Sequence, residues 1–537
     1  MSHRRLWMGV LYAGMVAAAP ASAATPRDQA RDAKALAARI DEFLAAKWDE
    51  AKVEPAAPSE DAEFFRRVNL DLNGKIPKVS EVREFLDDAD PDKRDKAVAR
   101  LLAGPGYVNH AVDVWRALLL PEANSDFQIR FLRPDFENWL RERFRAGVGY
   151  DKVVRELITA KLGDDPRRGF SPYNQQGTTN PLAFYSAKGG KPENLAASSA
   201  RLFLGVRIEC AQCHDHPFAR WKREQFWSYA AFFGGVSKQG PDDQFGPIRE
   251  LPDRREMAIP GTDRVVQANF LDGGDPQWKY KVGPRVTLAD WMTAADNPYF
   301  ARAAANRVWA QLFGVGLVDP VDDLNDDNPP SHPELLDELT HQFAAHDFDL
   351  KFLLRAITAS RAYQRSSAAT ASPSTAEDPH LFARKAMKGL TAEQLFESLA
   401  EATGYPAGDR NQNPFNLLNN DPRTEFLDKF ASVDERPTDH QTSILHALSL
   451  MNGKIVTDAT SLEKGATLGA IADSPFLDTP GKIEALYLAA LSRKPRPEES
   501  ARLEQYLERG GPTRHPKKAL ADVFWALLNG SEFLLNH

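Results

Sequence analysis

Cysteine is almost absent from this sequence. Only two of its 537 residues are cysteines, Cys210 and Cys213, and both lie in the stretch CAQCHDH. One pair cannot form a disulfide framework, and a disulfide across a two-residue spacer closes too small a loop to add much stability. We therefore expect the two thiols to serve one local chemical purpose.

Long apolar runs and blocks of basic residues are lacking too. Beyond Ala23 no stretch is long and apolar enough to cross a bilayer, and the formal net charge is −8. Nucleic acids and anionic membranes are bound through clustered Lys and Arg, which this sequence does not contain. We predict no nucleic-acid partner and no stable membrane span. No catalytic motif is recognisable either, so we assign no catalytic residue.

The first residues have the three parts of a secretory signal peptide. Arg4 and Arg5 precede an apolar run, Leu6–Ala19, and small residues follow at 21–23. This pattern predicts a signal peptide over residues 1–23, cleaved near Ala23, and a periplasmic or extracellular protein. An uncleaved membrane anchor is the alternative reading of the same residues.

Most of the remaining chain has the periodicity of amphipathic helices. In the stretch 61–72, for example, Phe64, Phe65, Val68 and Leu72 fall on one helical stripe. Between 236 and 286, short segments rich in β-branched residues are bounded by turns, which indicates two to four strands. We predict a mainly α, multi-helical protein of two domains, 40–235 and 287–537, with a small β-rich insertion at 236–286.

Cys210, Cys213 and His214 form the sequence by which c-type haem is attached. Two thiols three positions apart on one helical turn can bond one edge of a porphyrin, and the next residue can place an imidazole under the iron. We therefore predict one covalent haem c, held by Cys210 and Cys213, with His214 as the proximal iron ligand.

Three other readings of the cysteine pair stay open. A thioredoxin-like dithiol would need a βαβ context that the helical surroundings do not offer. A zinc site would need two further ligands, of which the sequence supplies only His216 nearby. The motif could also be a reduced pair without a cofactor.

The sequence gives a short list for the sixth iron ligand. Met257 lies in the turn-rich stretch RREMAIPGT, where loops commonly deliver a distal methionine, so Met257 is the first choice. His440, in RPTDHQTS, is the second choice, and an open iron is the third.

One further stretch, Ser331 to Glu334, has the pattern of a capping box that starts a helix, and it predicts that His332 is exposed at the helix start.

Several long stretches resemble a known family. They are FFRRVNLDLNGKIP, FLGVRIECAQCHDHPFARWKREQFWSYAAFF, NPYFARAAANRVWAQLFGVGLVDPVDDL, NPPSHPELLDEL and LLNGSEFLLNH. They are similar to the planctomycete-type secreted, cytochrome-like proteins with two consecutive domains of unknown function. This resemblance implies export and a first, cytochrome-like domain that carries Cys210, Cys213 and His214, but it implies no established reaction.

Together these observations predict an exported c-type haem protein that passes single electrons to an unknown redox partner. The protein would control the iron through its axial ligands and its exposure to solvent. The alternative, from a different class, is a haem-free scaffold or polysaccharide-binding protein at the cell surface.

Overall fold

The structure is a computed structural model that describes residues 26–163, 179–217, 219–238, 247–368, 378–406, 422–430 and 453–537. The predicted signal peptide and His440 lie outside these ranges.

The described chain is mainly helical, as the sequence predicts. Amphipathic stretches become helices because each can bury an apolar stripe against its neighbours. Up to the cysteine pair the helices are α1 (Pro26–Ala51), α2 (Asp61–Asn73), α3 (Val79–Asp87), α4 (Lys93–Ala103), α5 (Pro105–Leu119), α6 (Phe127–Ala146), α7 (Tyr150–Ile158), α8 (Ala183–Ala187) and α9 (Pro192–Ser199).

Helices resume after the pair and dominate the rest of the described chain. They are α10 (Arg223–Ala230), α11 (Pro284–Met292), α12 (Phe300–Phe313), α13 (Pro333–Ala345), α14 (Leu350–Ala359), α15 (Ala392–Thr403), α16 (Pro422–Phe430), α17 (Lys454–Ala459), α18 (Ala466–Asp473), α19 (Thr479–Leu491), α20 (Pro497–Glu508), α21 (Pro516–Leu528) and α22 (Ser531–Leu534).

The predicted β-rich insertion is present as two small antiparallel hairpins. Strand β1 (Val236–Lys238) pairs with β2 (Ile248–Glu250), and β3 (Glu256–Ala258) pairs with β4 (Val265–Gln267). The sequence did not indicate the third pair, in which β5 (Lys388–Gly389) joins β6 (Leu535–Asn536). This pair connects residues almost 150 positions apart, which local pattern does not reveal.

Two hydrophobic cores share helix α2. The larger core takes Phe64, Phe65, Val68 and Leu72 from this helix, and it includes residues on both sides of the predicted insertion. The smaller core takes Leu70 and lies mainly among helices α15 to α22. The division into two domains stays a prediction, but the larger core crosses its boundary.

The start of helix α13 differs from its prediction. Ser331 is not the capping residue, because the helix begins at Pro333 after His332, and the Ser331 hydroxyl donates to the Leu317 carbonyl at 3.2 Å. The predicted exposure of His332 is also wrong. Its side chain is buried because its ring packs against the apolar ring of Phe382, with 5.5 Å between the two ring centroids.

Candidate functional site

The segment that carries the cysteines leaves the core through a sharp turn. Helix α9 continues into a π-helical turn, Ala200–Leu204, that ends at Gly205 with φ 67°. A Cβ at Gly205 would lie 2.8 Å from Cδ1 of Leu324, so this position needs glycine for space as well as for conformation. The Gly205 carbonyl accepts a hydrogen bond from the Leu324 amide, which fixes the turn to the loop after α12.

Cys210, Cys213 and His214 occupy an exposed loop. Cys210 lies in a 3-10 turn, Glu209–Gln212, and Cys213 follows it directly. Both thiols are free and exposed, and His214 is exposed as well. Ala211, between the cysteines, is fully buried and attaches the turn to the core. The structure thus brings the three predicted site residues onto one accessible loop.

The His214 ring is held by its neighbour. Its Nδ1 lies 2.7 Å from the backbone oxygen of Asp215. A carbonyl oxygen can only accept, so this contact places a proton on Nδ1, and the neutral ring then has its lone pair on Nε2. Ligating histidines commonly have this arrangement, in which the bond at one nitrogen orients the ring and raises the basicity of the other.

Helix α10 anchors the cysteine pair from below. The indole Nε1 of Trp227 donates to the Gln212 carbonyl at 3.0 Å. The Arg223 guanidinium reaches the same carbonyl at 3.4 Å, and it also donates to the Pro260 carbonyl at 2.6 Å. The carbonyl between the two cysteines is therefore tied both to the helix and to the turn of the second hairpin.

Asp215 joins the histidine to the first turn of α10. Its Oδ1 accepts from the Arg223 amide at 2.9 Å, and its Oδ2 lies 3.2 Å from the Lys222 ammonium. The bond from the Arg223 backbone, followed by that from Lys222, lowers the pKa of Asp215. A carboxylate at this position also satisfies an amide that the start of a helix leaves without a partner.

An ion-pair cluster around the buried Asp322 supports the other side of the loop. Asp322 accepts from Arg207 at 2.9 Å and also pairs with Arg201. Burial opposes ionisation of Asp322, but the two arginines lower its pKa. Burial raises the pKa of Glu209, which precedes Cys210. The cluster connects the loop to the segment after α12 and presents no ligand to the thiols.

Six aromatic residues after the motif, within the described ranges, belong to the core. Each is almost completely buried, and Phe232 stacks on Phe270 at 5.2 Å. They are Trp221, Phe226, Trp227, Tyr229, Phe232 and Phe233. These rings fill the space under the loop, so a porphyrin bound to the cysteines would lie on the surface above them.

Met257 lies away from His214 along helix α10. It pairs with Val266 in the second hairpin, and its Cγ is 3.0 Å from where a Cβ would stand on Gly234. Gly234 follows the carboxyl end of α10, whereas the cysteine loop lies at its amino end. Met257 as an iron ligand stays a prediction.

The residues present fit a surface-attached haem better than a zinc ion. Within the described ranges no group of three or more His, Cys, Asp or Glu side chains is arranged to hold a metal ion. A c-type haem would need fewer donors, namely two accessible thiols and one imidazole. Cys210, Cys213 and His214 provide these donors.

Fold and site together define a mainly helical protein with an exposed Cys-x-x-Cys-His loop. Residues 39–238 match the family described as PSCyt2, "Protein of unknown function (DUF1549)", and residues 284–426 match PSD1, "Protein of unknown function (DUF1553)". The chain therefore contains two consecutive domains of unknown function. No curated protein and no solved structure matches it. In the described part of the chain no helix could cross a membrane.

Sequence reasoning missed the residues that hold the loop. Nothing in the spacing of Trp227 and Arg223 indicated that both reach the Gln212 carbonyl. The only available signal was the pair of large residues, Trp221 and Trp227, just after the motif. The shared partner is a backbone carbonyl, which every residue possesses, so the amino-acid sequence does not identify it.

Proposed function

We propose that this is an exported c-type haem protein that transfers single electrons. The observation that carries the proposal is the loop itself, on which two free, exposed thiols stand beside an imidazole. The Asp215 carbonyl holds this imidazole with its Nε2 available. The sequence before Ala23 and the resemblance to secreted cytochrome-like proteins support the export.

Each residue of the loop has a distinct role in this proposal. Cys210 and Cys213 form the two thioether bonds, and His214 supplies the axial nitrogen. When bound, the haem contributes a one-electron iron couple whose potential depends on ligands and exposure. The exposed loop leaves one edge of the site open to solvent, which suits direct contact with a redox partner.

The sixth coordination position decides between carrier and enzyme. Met257 is the first candidate, His440 the second and an open iron the third. A low-spin ferric spectrum that is lost in Met257→Ala would support methionine ligation, whereas a high-spin spectrum would support an open iron that binds a substrate.

The test is covalent attachment in a bacterial host able to attach haem c. The intact mass of the processed chain should exceed the bare polypeptide by one haem, and a pyridine haemochrome spectrum should show a c-type product. The double variant Cys210→Ala, Cys213→Ala should lose both signals. A bare mass from a competent host overturns the proposal.

A haem-free scaffold is the second candidate, and one observation favours it. The residues beneath the loop already have protein neighbours, since Ala211 and Trp227 are both buried. In that case the bare chain should bind insoluble polysaccharide, and sedimentation with cellulose or chitin would detect it. Sedimentation that the double cysteine variant retains would assign the binding to another surface.

A further inference from the structure

The indole of Trp227 donates a hydrogen bond to the backbone of Gln212, the residue directly before Cys213. Its Nε1 donates to the Gln212 carbonyl at 3.0 Å, and the residue is only 4% exposed. The ring lies inside the core, in an edge-on contact with Phe226 at 5.3 Å between centroids. The hydrogen bond therefore holds the Gln212 carbonyl of the Cys-x-x-Cys turn against a buried side chain.

The second contact to the same carbonyl is weaker. Arg223 Nε lies 3.4 Å from the Gln212 oxygen, near the limit for a hydrogen bond. Its guanidinium also serves the Pro260 carbonyl at 2.6 Å. Trp227 is thus the main donor to this carbonyl, and its ring is buried in the core.

The direction of the bond decides where the thiols point. The Gln212 carbonyl faces the core and Ala211 is buried, so Cys210 and Cys213 on either side are left exposed. We propose that Trp227 is a positioning residue that presents the two thiols together on one outward edge. A role of Trp227 in haem attachment rests on the proposed function. Its effect on the arrangement of the two thiols does not depend on haem.

Removing the indole N–H should disturb the pair and leave each thiol accessible. The Gln212 carbonyl would keep only the weak contact from Arg223 and would turn toward water to replace the lost hydrogen bond. The turn would then rotate about Ala211. The spacing of the thiols would become variable, although both would stay on the surface.

Phenylarsine oxide, which binds two thiols at once, measures this spacing on the reduced, haem-free chain. Trp227→Phe should weaken its binding about tenfold, because the pair must be reordered before both sulfurs can bond arsenic. Iodoacetamide, which needs one thiol, should alkylate both cysteines at the parent rate. Unchanged binding of the arsenical by Trp227→Phe overturns the proposal.

Trp221→Phe is the matched control. Trp221 is also a buried tryptophan of this region, but its bond to the loop comes from its backbone oxygen, which accepts from the His216 amide at 2.8 Å. This variant should bind the arsenical like the parent. An equal loss in both variants would assign the effect to general loosening and refute a specific role of Trp227.

A second variant keeps the test decisive if Trp227→Phe does not fold. Incorporating 3-benzothienylalanine at position 227 preserves the bicyclic shape and removes only the N–H. This chain should show the same weakening of arsenical binding, and a parent-like affinity would refute the proposal.

The haem-loaded chain separates this proposal from the proposed function. Mass analysis of peptides should show more single-thioether product in Trp227→Phe than in the parent. If the parent itself carries no haem, the proposed function fails, whereas the arsenical result on the bare chain still decides the role of Trp227.

Discussion

The hydroxyl of Tyr363 donates to Oδ2 of Asp71 at 2.7 Å inside the protein. The other carboxylate oxygen accepts from Lys388 at 2.9 Å and from Asn536 at 2.8 Å. Burial opposes ionisation of Asp71, but Lys388 and then Lys385 lower its pKa. One carboxylate therefore joins helix α2, the segment after α14 and the β5–β6 pair.

Asp71→Ala should destabilise the protein strongly. It leaves the Lys388 ammonium without its carboxylate in a mostly buried site, and breaking such a pair costs about 3–5 kcal/mol. Tyr363→Phe removes one hydrogen bond to the same charge and should cost about 1.5–3 kcal/mol. Urea unfolding of both variants measures the difference, and an equal small loss would contradict the assigned central role of Asp71.

His332 should make stability fall in acid. Burial, followed by the charge of Lys47, lowers its pKa from 6.5 to about 4. In the unfolded chain the His332 imidazole therefore becomes protonated near pH 6.5, whereas in the folded chain it becomes protonated only near pH 4. Between these values the free energy of unfolding should fall by about 3 kcal/mol from this residue.

The His332→Phe variant isolates this contribution. Phe fills a similar volume beside Phe382 and does not titrate, so its stability should depend less on pH between 6.5 and 4. Chemical unfolding at several pH values gives the two curves. Parallel curves for parent and variant would show that His332 is protonated alike in both states.

Gly74→Ala should cost more than Gly147→Ala, although both glycines end a helix with positive φ. At Gly147, φ is 65° and a Cβ would have no atom within 4 Å, so only backbone strain of about 1–2 kcal/mol is expected. At Gly74, φ is 73° and a Cβ would lie 2.6 Å from Nδ1 of His110, which adds about 1–3 kcal/mol. Thermal unfolding of the two variants should rank them in this order.

Both cysteines should react without unfolding in the reduced, haem-free chain. Cys210 and Cys213 are free and exposed, so an aromatic disulfide reagent should titrate both thiols about as fast under native conditions as in urea. Detection of the second thiol only after denaturation would mean that the loop is covered. With haem attached, neither thiol should react.

The helices and the two hairpins of the insertion were predictable because they follow from local periodicity and turn residues. Helix α2 shows the limit of this approach. The apolar stripe of Phe64, Phe65, Val68 and Leu72 indicated one buried face, yet Arg66, Arg67 and Asp71 are buried too. A helix between two cores has no solvent face, and periodicity cannot reveal a second core.

The buried arginines of α2 find their partners far along the chain. Arg66 donates to the carbonyls of Ala490 and Phe533 at 3.0 Å each, and Arg67 donates to that of Tyr363 at 2.7 Å. These acceptors are backbone oxygens, which every residue possesses. No residue type at the distant positions could therefore have indicated the contacts.

By itself the sequence determined the helical class and the small β insertion, and it predicted Cys210, Cys213 and His214 as site residues. These features depend on residue type and short spacing. Only the tertiary structure decided that the site is exposed, that Trp227 and Asp215 hold it, and that His332 is buried. The reason is physical: exposure and carbonyl hydrogen bonds arise when distant segments pack, and the backbone groups involved are identical in every residue.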